Sequence, residues 1–141
     1  MSADTPRQQL AEQFLADHPG WLVSDFPDVP KQVAKGRPVV SVWRSELVPS
    51  ANRTTITHEI TINGYGAKTV GAGAEDELDD LLDDLLLSLE RFPGFILTRA
   101  SRQSFAKDTI AGWQITGSVL SPNVYRSTIQ SERSSNGTAA P

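Results

Sequence analysis

Residues 75–90 read EDELDDLLDDLLLSLE, and seven of the first ten are Asp or Glu. At about 100° per residue, Leu78, Leu81, Leu82, Leu85, Leu86 and Leu89 gather on one side of a helix. Asp79, Asp80, Asp83 and Asp84 fall on the opposite side. A helix so divided cannot stand alone; its leucines need an apolar surface to bury against. Glu75, Asp76 and Glu77 sit in the first turn, where the helix dipole favours negative charge. The pattern therefore predicts a surface helix docked on another layer. Leu87 breaks it, falling in the middle of the aspartate face, to be covered either by another part of the same chain or by a neighbouring subunit.

The layer that receives those leucines is written in residues 54–65, TTITHEITINGY. Ile56, His58, Ile60 and Ile62 share one face of a strand, and Thr55, Thr57, Glu59, Thr61 and Asn63 share the other. So many β-branched residues disfavour a helix here. Before it, PVVSVWRSELV (38–48) reads as a strand with one polar-tolerant face, and PSANR as the hairpin loop between the two. After the acidic helix, Phe92-Pro93-Gly94 is a stop. FILTRASRQSF and TIAGWQITGSVL then read as two further strands joined near Ala106-Lys107-Asp108, the second with Trp113, Ile115 and Val119 on one face. At the other end, Thr5-Pro6 and Gln8 form a capping box with proline at the first helical position. Leu10, Ala11, Phe14 and Leu15 make the apolar stripe of that first helix, which His18-Pro19-Gly20 ends. Whether WLVSDF (21–26) is a short strand or an entry loop is left open by its pattern.

The order of elements predicts an α+β fold: an antiparallel or mixed sheet of about four strands, two main helices on one face, and a polar C-terminal tail. We expect one domain over residues 1–120. Residues 121–141 are expected to be a polar tail, disordered alone or ordered by a partner.

Chemistry is sparse. The chain of 141 residues has no cysteine, which excludes thiolate catalysis, zinc–cysteine sites and disulfide frameworks. The N-terminus lacks the basic-then-apolar order of a signal peptide, and the apolar runs fall far short of a membrane span, so no membrane association is expected. The aspartates form an outward row, whereas a metal needs converging carboxylates, and the D-x-[DN]-x-[DN]-G loop is missing. GAGA (71–74) lacks the Walker Lys-Ser/Thr and precedes a run of acids that would repel an anion, which makes it a loop or helix lead-in. His58 and His18 are two lone histidines far apart in sequence; a hydrogen-bonded structural role for His58 is the expectation. No G-x-S-x-G elbow supports a hydrolase triad. No catalytic residue, metal ligand or cofactor site is expected, and the chain reads as a non-enzyme.

Charge is segregated along the chain. Residues 1–74 carry seven basic and seven acidic side chains, 75–92 one against eight, and 93–141 five against two. Asp79, Asp80, Asp83, Asp84 and Leu87 make a candidate subunit or lumen surface. Arg99, Arg102, Lys107 and Arg126 make a candidate basic partner surface, equally suited to a neighbour's acidic helix.

From Arg37 to Leu120, through GRPVVSVWR, TTITHEITINGYG, the helix at 75–91 and TIAGWQITGSVL, the chain resembles the tail terminator proteins of long-tailed (siphovirus-type) bacteriophages. The resemblance implies a homohexameric ring that caps the tail tube, halts addition of the tail tube protein and presents a surface to the head–tail connector protein. DNA would pass through its lumen without sequence-specific binding, where an acidic lining would repel phosphates. It implies a virion protein of the tail or neck, assembled in the host cytoplasm. The alternatives are another neck or head-completion connector subunit, or a small non-viral adaptor or ligand-binding α+β domain using GYGAKTVGAGA as its binding loop.

Overall fold

The structure, a computed structural model, describes residues 5–27, 37–66, 72–105 and 110–139. Helix α1 (Pro6–Asp17) leads to the short strand β1 (Leu22–Ser24), then β2 (Val39–Pro49), β3 (Thr55–Tyr65), α2 (Ala72–Arg91), β4 (Phe95–Phe105), β5 (Ile110–Pro122) and α3 (Val124–Ala139). The five strands form one sheet in the order β1-β2-β3-β5-β4. All pairings are antiparallel except β1 with β2, so the sheet is mixed and the fold is α+β. The open segment WLVSDF supplies β1, a fifth strand.

Thr5 caps α1 as the sequence predicts: its Oγ1 accepts from the Gln8 N–H, and the Gln8 side chain accepts from the Thr5 N–H. Leu10 and Phe14 are buried beneath the helix, while Leu15 stays exposed. His18 stacks on Trp21 at 4.0 Å, closing the turn into β1.

Strand β4 lies beyond β5 in the sheet, so α2 crosses over β5 to link the parallel strands β3 and β4. This split β-α-β arrangement places α2 on the same face as α1. Leu78, Leu81, Leu85 and Leu89 are buried against Val40, Val42, Ile60, Ile62, Ile115 and Val119. Each buried leucine contributes about 1.5–3 kcal/mol. Leu82 and Leu86 are only partly buried, at the flanks of the stripe. Gly64 admits the close approach of α2, and Gly112 the close pairing of β5 with β3. A Cβ on Gly64 would meet the Leu85 side chain at 2.8 Å, and one on Gly112 would meet the Gly64 carbonyl oxygen at 2.3 Å. Tyr65 pairs directly with Gly112, its ring occupying the space that a side chain there would need.

The other face of the sheet is uneven. At one end Val39, Ser41, Asn63, Tyr65 and Ile110 are buried, so β2 and β3 are covered on both faces there and the face of β2 expected to tolerate polar groups is interior. At the opposite end Val48, Ile96 and Leu120 are exposed.

The tail departs most from expectation. Strand β5 continues through Pro122, and Val124–Ala139 is helical. Asn123 starts that helix, its Oδ1 accepting from the Arg126 N–H at 3.0 Å, the geometry of an N-cap. Its amide donates to the Arg53 carbonyl at 2.9 Å, and the Arg126 guanidinium donates to the Asn52 carbonyl at 2.7 Å. Thus α3 is fastened to the β2–β3 hairpin by its first turn. From Thr128 to Arg133 every side chain is exposed.

Candidate interaction surfaces

The four aspartates of the acidic run lie together along α2. Asp79, Asp80 and Asp83 are exposed and Asp84 half-buried on the side of α2 turned away from the sheet. None of the four is in an ion pair among the described residues. Leu87 lies among them and is 56% exposed, so the single chain leaves it uncovered. The two ends of α2 are held by the chain itself. Arg102 on β4 pairs with Glu75 at 2.7 Å and sits over the Trp113 ring, whose indole N–H donates to the Leu78 carbonyl. Its hydrogen bond to Glu75 holds that carboxyl below the usual carboxylate range. At the C-terminal end, Ser88 donates to Asp17 at 2.7 Å and Arg91 pairs with the same carboxylate at 3.5 Å.

The basic surface is not brought together. Arg102 is committed to Glu75 of its own chain, on the helix-bearing face. Arg99 pairs with Thr116 beyond a register shift and lies on the other face. Arg126 is at the far end of β5, on α3. Lys107 lies outside the described residues. Arg99 and Arg102 are three residues apart in regular register, so strand alternation alone sets them on opposite faces.

A groove of about 620 Å³ opens where the N-terminus of α1, the α2–β4 turn, β5 and the root of α3 meet. Arg44, His58 and Ser121 are among its polar lining, with Thr5, Gln9 and Gln13 of the α1 end and Tyr125 of α3. The His58 Nε2 lies 2.7 Å from Ser121 Oγ, and Arg44 approaches Nδ1 at 3.4 Å. A guanidinium can only donate, so Nδ1 accepts and the proton resides on Nε2, which donates to Ser121. This wiring runs opposite to a nucleophile–base pair, in which the imidazole must accept from the hydroxyl. Burial, and then the neighbouring Arg44 charge, lowers the His58 pKa and favours the neutral ring. His58 is thus a hydrogen-bonded interior histidine, as its position in the strand suggested. Among the described residues, no three His, Asp or Glu side chains converge as metal ligands, and no helix is long and apolar enough to cross a membrane.

The groove lies at the opposite end of β3 from Tyr65 and Gly66, so it is not beside the described start of GYGAKTVGAGA, whose residues 67–71 lie outside the described residues. Sequence reading missed α3, whose Val124, Tyr125 and Ile129 are 47%, 45% and 44% exposed. The available signal was Pro122-Asn123, a stop followed by a cap, ahead of apolar residues spaced one and four apart. In comparisons with known proteins, no family model matches the sequence and no curated protein matches it.

Proposed function

We propose that this chain is a structural subunit that works by assembly, of the kind that terminates phage tails. In this reading copies form a ring, a hexamer by the resemblance. The ring caps the tail tube, stops its polymerisation and offers a surface to the head–tail connector, with DNA passing through the lumen. The protein would then reside in the tail or neck of the virion, assembled in the host cytoplasm. The observation that carries the reading is the apolar surface left uncovered by an otherwise well-packed domain: Leu87 amid the aspartates, and the projecting α3 with Val124, Tyr125 and Ile129. Side chains of this size held away from the core suit a surface that another copy or partner covers. Segregated charge suits it too, since it orients subunits as they meet.

Electron microscopy of the purified protein mixed with tail tubes tests this. A ring closing one end of each tube is the expected image. Tubes with open ends, together with a monomer by light scattering, would overturn it. The groove beside His58 favours a second reading, a ligand-binding adaptor, which instead requires a stable monomer whose stability rises with a groove ligand.

A further inference from the structure

Helix α3 carries an apolar face that its own domain does not cover, and the side chains around that face are ordered. With Ile129 as origin, Tyr125 lies on one flank, and Arg126 and Arg133 lie on the other, one turn before and one turn after. All four are exposed. Arg133 is in no ion pair among the described residues, and Arg126 meets only a backbone carbonyl. Helix α2 presents the complementary order: Leu87 exposed at the centre, Asp83 and Asp84 one turn before it, and Glu90 one turn after. The offsets agree. Arginines three and four residues from Ile129 lie about 4.5 and 6 Å along the axis, and the acids stand about the same distances from Leu87. Arg91, the cation nearest this patch, is drawn off to Asp17.

We propose that α3 of one copy docks along the acidic face of α2 of a second copy, Ile129 and Tyr125 covering Leu87 and Arg126 and Arg133 pairing with Asp83, Asp84 and Glu90. The inference rests on the ring reading and makes the contact head-to-tail. Each copy gives one helix and receives another through unlike surfaces, which is the contact a closed ring requires. It also assigns the acidic face to the neighbour and not to the lumen. Within a single chain α3 is held at the β2–β3 hairpin, which leaves its outer turns available to a partner.

The absence of native cysteine makes the contact directly testable. Leu87→Cys chains are mixed with Ile129→Cys chains under mild oxidation, with Leu87→Cys plus Ile96→Cys as the control pair, since Ile96 is exposed on the far face of β4. A disulfide-linked dimer from the first mixture, at roughly tenfold the yield of the control, is expected. In parallel, Arg126→Glu/Arg133→Glu chains should self-associate roughly tenfold or more weakly by sedimentation, and adding Asp83→Arg/Asp84→Arg in the same chain should restore association. If wild-type copies associate but the first pair links no better than the control, or Leu87→Cys links to itself, the α3–α2 contact is wrong while the ring reading stands. If wild-type copies associate neither alone nor on tail tubes, both fall.

Discussion

Leu85 and Leu87 are two residues apart on α2 and belong to different environments: Leu85 is wholly buried beneath the helix, Leu87 faces solvent among the aspartates. An aspartate at position 85 would bury a carboxylate among leucines and isoleucines, at a cost of several kcal/mol. Leu85→Asp is therefore expected to lose the cooperative unfolding transition seen by circular dichroism. Leu87→Asp should keep the wild-type spectrum and Tm and lose self-association by sedimentation; loss of folding instead would place Leu87 in the core. His58 makes a second residue-scale prediction. Its pKa is lowered from 6.5 in the folded chain, so below that pH the unfolded chain binds the proton more readily. Stability should be unaffected by this group above the ordinary histidine range and should decline as pH falls through it. Between about pH 7.5 and about pH 5, Tm should drop further for the wild type than for His58→Gln, the carboxylate contribution being common to both.

At the scale of elements, local pattern carried a great deal. The capping box at Thr5, the leucine stripe of α2 and the alternation in β3 all follow from spacing alone, because cap geometry and the two periodicities are properties of neighbouring residues. What escaped depends on partners distant in sequence. Ser41 and Asn63 look solvent-facing in their strands and are buried. Nothing local marks β5 as central, or β1 as parallel to β2. The basic residues grouped as one surface are parted by the odd spacing of Arg99 and Arg102 along β4 and by the length of β5, which carries Arg126 to its far end. Helix α3 was legible in principle through Asn123, yet its polar composition outweighed the cap. Because the hydrogen bonds that fasten it to the hairpin among the described residues come from Asn123 and Arg126 at its start, a chain ending at Asn123 should unfold within a few degrees of the full-length Tm and fail to self-associate.

For the whole molecule, the separated charges imply assembly sensitive to salt. Raising ionic strength from about 0.1 to about 1 M shortens the screening length from about 10 to about 3 Å. Association measured by sedimentation should weaken across that range, whereas the Tm of the monomer, resting on the leucine core, should change little. The fold itself imposes an order on events during synthesis. β5 is the last strand to be made, yet it occupies the slot between β3 and β4. Until residue 122 has left the ribosome, β3 lacks a partner along one entire edge and β4 has none at all. α2 has only half of its bed. Sheet closure must then proceed through contacts widely separated in sequence, which slows folding. The domain consequently forms as a single late event, and a ribosome stalled before β5 would display the open edge of β3 and an unpaired β4 to whatever chain lies nearest.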